Sequence, residues 1–397
     1  MYNPSVYNKI IVITARGVMR KLFIGLAFLS VVLSFKAMAQ EDKTTALPKY
    51  FYKKLEGTIG EKYPVRMELI REDSVLRGYY YYENKRIPIP FTFNSCVDKN
   101  GNYIIEENAG NTSTGEQLVT GRLTGKFIDT GKFEGVWQNY DGSKTLPLKL
   151  MEKYGEDCAK INIRKYERNI GECGNESCFS LSIFYPEVIL PDKNVEDKIN
   201  KAIKNSLLEY YVEDKALQYN SIEELADSFY AAYKTDSVII HSEDYILAYV
   251  YDLEFKIDYN DNNILSLLKT LYTYTGGAHG STSLTYLNFD LRSGAEIKLE
   301  DIFKDDYKTA LDKLGEKPFR DYYNLKPDED FEKAGFWFTD NKFSLNDNFG
   351  FNPEGIVFQY NQYEVAPYAL GAASIIIPYK KLKEIVKENS LLDYINK

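Results

Sequence analysis

From Tyr50 to Tyr154 short apolar runs alternate with turn clusters so regularly that the whole stretch reads as β-structure. Val65-Arg66-Met67-Glu68-Leu69-Ile70 alternates with the two-residue period of a half-buried strand. Gly78 introduces the run Tyr79 to Tyr82, and Pro88 and Pro90 confine the next strand to an edge or an irregular one, because proline donates no ladder hydrogen bond. Further strands fall at Tyr103 to Glu106, Gly121 to Phe127, Phe133 to Gln138 and Leu146 to Leu150, with turn residues at 98–102, 108–115, 129–131 and 141–142. Residues 49–155 are therefore predicted to form an all-β domain, a meander or a small barrel.

After a polar link at 156–160 the pattern becomes mixed. Ser180 to Tyr185 reads as a strand, and Asn194 to Tyr211 places apolar residues at helical spacing. Ser221 and Glu224 form a capping box for a second helix to about Tyr233. Val238 to Ile240, Tyr245 to Asp258 and Asn263 to Tyr274 read as strands, the last two joined by a turn at 260–262. Then come a strand at Leu284 to Leu291, a turn at 292–294, a short return strand and a helix from Leu299 to Leu314. An acidic, mobile-looking segment (326–333), strands at Gly355 to Tyr360 and Ala373 to Pro378, and a closing helix from Tyr379 to about Glu388 complete the chain. The fold class is α+β: the all-β domain is followed, at 160–395, by helices packed on a mainly antiparallel sheet.

The compartment is written at the N-terminus. Arg20 and Lys21 precede the apolar run Leu22 to Phe35, and Ala37-Met38-Ala39 offers a small-x-small cleavage site before Gln40. Residues 1–39 read as a signal peptide, with 1–18 either an upstream extension from a misassigned start or an unusually long n-region, and 40–48 as a polar tether. The expectation is an exported periplasmic or secreted bacterial protein, with no membrane insertion once the signal is removed. Cys96, Cys158, Cys173 and Cys178 are an even set for an oxidising compartment and are expected to form disulfides; Cys173 with Cys178 and Cys96 with Cys158 is one of three possible connectivities, and the sequence does not choose among them. No Cys-x2-Cys or His-x3-His spacing is present, so neither a metal site nor a cofactor is expected. A net charge of -9 argues against nucleic acid as a partner.

One stretch, Tyr272 to Phe303, gathers one of the two histidines, a double glycine and two strands. His279 in that glycine-rich turn is the weak catalytic candidate, with Ser281 nearby and Glu364 or Asp290 to orient the ring. The structural reading gives Gly276 and Gly277 positive φ, with His279 hydrogen-bonding across the turn to hold two strands in register. His241 reads as structural or exposed. A second candidate is Tyr363-Glu364-Val365-Ala366-Pro367-Tyr368: Tyr363 and Tyr368 would form an aromatic rim with the Glu364 carboxylate, fit for a sugar ring or a basic protein. Packing of those tyrosines on the core is the competing reading.

Thr275-Gly276-Gly277-Ala278-His279-Gly280, followed by Tyr286 to Asp290, Ser293-Gly294 and Leu299-Glu300-Asp301-Ile302-Phe303, resembles the extracytoplasmic domain of RsiV-like anti-sigma factors. Gly355-Ile356-Val357-Phe358, Tyr363 to Tyr368 and Ile375 to Leu382 also look like that family's closing segment, so the likeness covers about residues 160–395. The family is largely of unknown function. Its best-understood class uses the domain outside the cell to bind lysozyme, and other members carry it beside a polysaccharide deacetylase domain. Here only about 20 residues precede the apolar run, and no deacetylase domain with its metal-binding Asp and His is found. Sigma-factor control and deacetylation are therefore not expected. What the resemblance leaves is an exported, non-enzymatic envelope protein binding a lysozyme-like protein or a cell-wall glycan. The alternatives are an envelope hydrolase using His279, and a structural envelope protein.

Overall fold

The computed structural model describes residues 47–111, 117–174, 177–212, 215–239 and 247–396; the stretch read as a signal peptide, most of the stretch read as a tether, and His241 lie outside them. The turn cadence of the first third closes on itself. Its strands are β1 (Tyr50–Ile59), β2 (Tyr63–Glu72), β3 (Val75–Tyr82), β4 (Ile89–Pro90), β5 (Cys96–Val97), β6 (Tyr103–Asn111), β7 (Gln117–Phe127), β8 (Lys132–Asn139) and β9 (Thr145–Glu152). They pair antiparallel in the order β1-β9-β8-β7-β6-β5-β3-β2 and back to β1, an eight-stranded barrel with the proline-limited β4 hung on β3. Alternation explains the interior: Val65, Met67 and Leu69 of β2 point inward with Leu55, Leu123 and Leu148. Gly125 of β7 faces Gly135 of β8, and a Cβ on Gly135 would lie 2.6 Å from the Gly125 Cα, so the close approach of these strands requires glycine.

A carboxylate sits inside the barrel. Glu107 of β6, 5% exposed, accepts hydrogen bonds from the Tyr80 hydroxyl, the Trp137 indole N–H and the Thr120 hydroxyl. A buried carboxylate persists only when its oxygens are supplied with donors in this way.

The α+β region carries β10 (Lys160–Ile170), β11 (Cys178–Ile189), α1 (Lys193–Leu208), β12 (Glu209–Val212), β13 (Lys215–Gln218), α2 (Ile222–Ile239), β14 (Ala248–Asp261), β15 (Ile264–Tyr274) and β16 (Ser281–Asp290). A sheet of order β10-β11-β14-β15-β16 results, antiparallel except for β11–β14. That parallel pair needs a crossover, and α1 and α2 supply it. Val195, Ile199, Ile203 and Leu207 of α1 pack on the face formed by Leu181, Tyr251 and Phe255. Beyond this sheet lie α3 (Leu299–Ile302), α4 (Tyr307–Tyr322), β17 (Phe349–Phe351), β18 (Gly355–Tyr360), β19 (Ala373–Pro378) and α5 (Tyr379–Leu382). β17, β18 and β19 form a second antiparallel sheet over a core centred on Phe319. Among the described residues no helix is long and apolar enough to cross a membrane.

Several expectations are corrected. β10 was not foreseen, nor was the β12–β13 hairpin. Val238 and Ile239, read as a strand, close α2 instead. The predicted Leu299–Leu314 helix breaks after Ile302, because Phe303 is extended and fully buried and bridges Val386, and Asp306 is left-handed. The acidic segment is anchored: Arg320 donates to the carbonyls of Lys326 and Glu329 at 3.1 and 2.8 Å. α5 is a single turn.

Only half of the expected disulfides form: Cys173 and Cys178 are bonded, but Cys96 and Cys158 are both free thiols. Cys96 pairs in the ladder with Ile104 at the barrel corner, whereas the buried Cys158 thiol donates to the Gly155 carbonyl beside Lys54 and Asp261. The two belong to different packing environments, and burial pushes the Cys158 thiol up to about 11. The Cys173–Cys178 bond closes a loop five residues long in sequence separation. Replacing both cysteines by serine is expected to lower stability by about 2 kcal/mol, the chain-entropy value for so short a loop, as read from urea midpoints.

The barrel is fastened to the five-stranded sheet by a buried polar network. Lys54 of β1, 2% exposed, donates to the Asn260 carbonyl at 2.5 Å and lies 3.4 Å from Asp261 and 3.9 Å from Glu68. The Asn260 side chain bonds both the N–H and C=O of Ala159 and donates to the Tyr52 hydroxyl, which itself donates to Glu68. The β14–β15 turn is Asn262-Asn263, both at positive φ, rather than 260–262 as expected, because Asn260 is buried in this joint. Asp157 of the link receives the N–H groups of both turn residues. The polar link is thus part of the joint.

A second joint surrounds Arg77, which pairs with Glu72 at 3.2 Å and with Glu254 of β14 at 2.7 Å. Burial, and then the charge of Glu254, push the Glu72 carboxyl up to about 7, and burial pushes Glu68 to about 7 as well. Both start from an ordinary value of 4.5. Between these values the folded state holds protons that the unfolded chain has released, so this contribution to stability is present below pH 4.5 and is lost as pH rises through 7. Urea midpoints should therefore be lower at pH 8 than at pH 5, and Glu72→Gln should narrow the difference. An unchanged pH dependence in that variant would count against the assignment.

Candidate functional site

The glycine-histidine turn joins β15 to β16, with Gly276 and Gly277 at φ 90° and 88° as the sequence predicts. Gly280 has a different reason: a Cβ there would lie 2.4 Å from the Tyr272 ring. His279 is exposed and does not bridge the two strands. Its Nδ1 lies 3.0 Å from the adjacent Gly280 carbonyl, and its ring lies nearly flat on Tyr368, with centroids 3.9 Å apart and planes at 21°. The Tyr368 hydroxyl donates to the same carbonyl at 3.0 Å. Tyr363, 57% exposed and at φ 63°, sits 5.5 Å from Tyr368. The brace is therefore between the hairpin tip and the 361–370 loop.

The residues proposed to activate His279 are engaged elsewhere. Glu364 accepts from the Asn346 side chain and the Asn361 N–H at 2.7 and 2.8 Å, and Asp290 pairs with Arg292 at 3.0 Å. Among the described residues the only polar contact of the imidazole is Gly280. General-base work needs a second group to hold the ring's tautomer and orientation. The structure brings His279, Tyr363 and Tyr368 into one exposed aromatic face and keeps Glu364 as a loop fastener. Asn361 and Asn348 also bond the Leu284 and Tyr286 backbone, closing the outer edge of β16. No group of three or more His, Cys, Asp or Glu side chains with metal-holding geometry occurs among the described residues.

A larger feature escapes sequence reading. A cleft of about 800 Å³ lies between the barrel and the two sheets of the α+β region. Lys256, Leu268 and Tyr286 form one cross-strand row that floors it. Arg77 to Tyr79 and Phe91 to Phe93 make the barrel wall, and Val357, Ser374 and Ile376 make the facing wall. The Asp258 carboxylate accepts from the Tyr286 hydroxyl and pairs with Lys256, both at 2.7 Å, and its carbonyl takes the Tyr79 hydroxyl at 3.0 Å. The available signal was on β14, where Asp252, Glu254, Lys256 and Asp258 alternate with buried Leu253, Phe255 and Ile257. A strand charged on one face and apolar on the other has two different surroundings.

Two family models match the chain. One, described as deacetylase PdaC, matches residues 172–282; the other, described as a protein of unknown function (DUF3298), matches residues 300–380. The PdaC-type stretch holds α1, α2, β14, β15 and the glycine-histidine turn, and the DUF3298 stretch holds Tyr363, Glu364 and Tyr368. The His279–Tyr368 stack therefore links the two matched stretches, and both begin after the barrel. The peptidoglycan-N-acetylmuramic acid deacetylase PdaC of Bacillus subtilis strain 168 is 29% identical over 149 residues, 37% of this chain and 30% of that protein. The chain thus spans less than a third of that relative's length. A solved DUF3298 family member from Bacteroides fragilis NCTC 9343 is 22% identical over 61% of this chain and 99% of its own, with a TM-score of 0.49. A DUF3298 family protein from Pseudomonas aeruginosa PAO1 is 21% identical over 59% of this chain and 98% of its own, with a TM-score of 0.44.

Proposed function

We propose that this chain is an exported, non-enzymatic binding protein of the bacterial cell envelope that holds a cell-wall glycan on its aromatic face. The observation that carries the reading is the exposed stack of His279 on Tyr368 with Tyr363 beside it, with no carboxylate among the described residues bonded to the imidazole to set it up as a base. Flat rings at a rim give a sugar an apolar face to cover. The name of the Bacillus subtilis relative, an enzyme acting on peptidoglycan, supports this ligand class and this compartment. The net charge of -9 favours a second ligand of the kind the RsiV-like resemblance implies, a basic lysozyme-like protein.

Co-sedimentation with purified peptidoglycan tests the reading. Tyr368→Ala and Tyr363→Ala are expected to weaken retention about tenfold, the usual scale for losing a stacking anchor. His279→Ala should weaken it several-fold, with neither acetate nor reducing sugar released by the unaltered chain. Turnover that vanishes in His279→Ala while binding persists would favour the hydrolase instead. Retention by immobilised lysozyme but not by peptidoglycan would favour the protein ligand.

A further inference from the structure

We propose that the cleft between the barrel and the two sheets is a second binding site, one that takes an extended, mainly apolar peptide segment carrying one lysine or arginine. None of the residues of the His279–Tyr368 stack lines it, so the inference stands apart from the glycan reading.

The size and rigidity of the cleft suit a ligand site. At about 800 Å³ it falls in the range in which a bound molecule buries most of its surface. Its walls are held before any ligand arrives, since Arg77 of the barrel is tied to Glu254 of the sheet and the Tyr79 hydroxyl to the Asp258 carbonyl. A preformed site spares the ligand the ordering cost of assembling it.

The lining decides the class of ligand. Val75, Leu76, Phe91, Leu268 and Ile376 give it a mainly aliphatic and aromatic surface. Most of its polar groups are already used: both Asp258 oxygens hold Tyr286 and Lys256, and the Ser374 hydroxyl donates to Gln359 at 2.5 Å. A sugar ring carries a hydroxyl on nearly every carbon and would bury several without partners. A peptide with large apolar side chains would not.

The charge selects a cation. Glu354 stands half-buried in the turn between β17 and β18, a turn fixed by the N–H groups of Glu354 and Gly355, both bonded to Asn352 at 2.9 and 2.8 Å. Its carboxylate makes no hydrogen bond or ion pair among the described residues, and it lines the cleft. Of the ionisable residues that line the cleft, Arg77 is paired with Glu254 and Lys256 with Asp258, which leaves Glu354. One unpaired carboxylate on an apolar wall is a place for a single ammonium or guanidinium.

The test is affinity selection of a random peptide library on the immobilised full chain. Retained peptides should be enriched in lysine or arginine together with large apolar residues, and should be lost from Glu354→Gln and Ile376→Arg chains whose circular dichroism is unchanged. A retained peptide, resynthesised with glutamate in place of its cation, should bind at least about tenfold more weakly by fluorescence anisotropy. Glu354→Gln keeps size and shape, so its result stands even if Ile376→Arg fails to fold. Retention without cationic enrichment, equal retention by Glu354→Gln, or no peptide retained at all would overturn the proposal. Competition by N-acetylglucosamine oligomers for the same site would overturn it in favour of a glycan cleft.

Discussion

Lys54→Ala should destabilise the chain by about 3–5 kcal/mol, the scale for removing one member of a buried charge cluster. The lysine is 2% exposed and is shared by Glu68, Asp261 and the Asn260 carbonyl. Without it two carboxylates and a carbonyl remain in the joint with too few donors. The loss should be visible as a lower urea midpoint at pH 8, where Glu68 has released its proton, and should shrink at pH 5, where that carboxyl, raised to about 7 by burial, is neutral. Lys54→Met should cost less, since it retains most of the buried hydrocarbon. A loss below about 1 kcal/mol for Lys54→Ala would mean that apolar contacts alone hold the barrel on the sheet.

Glu107→Ala should have an effect of similar size, about 3–5 kcal/mol, for a different reason. Here the carboxylate is the acceptor for three barrel groups, and its removal takes that acceptor from the hydroxyl of the buried Tyr80 and from the indole N–H of the half-buried Trp137. Chemical denaturation followed by tryptophan fluorescence measures it. Combining Glu107→Ala with Tyr80→Phe should recover part of the loss, because the stranded donor goes with it. Strict additivity of the two substitutions would show that Tyr80 and Glu107 do not act as a pair.

Local alternation made the barrel strands readable, and Pro88 and Pro90 marked the short β4 in advance. Closure was offered as a small barrel but not decided against an open meander, because it depends on β1 meeting both β2 and β9 and on β3 meeting a two-residue β5, pairings that no local window contains. In the α+β region the capping of α2 held: Ser221 accepts the Glu224 N–H at 3.1 Å, and the Glu224 carboxylate reaches back to the Asn220 N–H. Its end was misread, since Val238 and Ile239 favour strands and a helix already under way overrode that preference. Positive φ at Gly276 and Gly277 followed from residue type alone. The partner of His279 did not, because Tyr368 comes from a distant loop and the two meet only once the second sheet is in place. The expectation that Cys96 and Cys158 are disulfide-bonded failed for the converse reason, as an even count says nothing about distance.

The closing of the β16 edge has a consequence for how copies of the molecule meet. An unprotected outermost strand offers a row of N–H and C=O groups that a neighbouring copy can copy onto, and such templating is a common start of aggregation. Asn348 and Asn361 occupy those groups at Leu284 and Tyr286 with their own amides. Self-association by strand addition on that side would first have to dislodge two asparagines, so the edge beside the exposed aromatic face is guarded against templating.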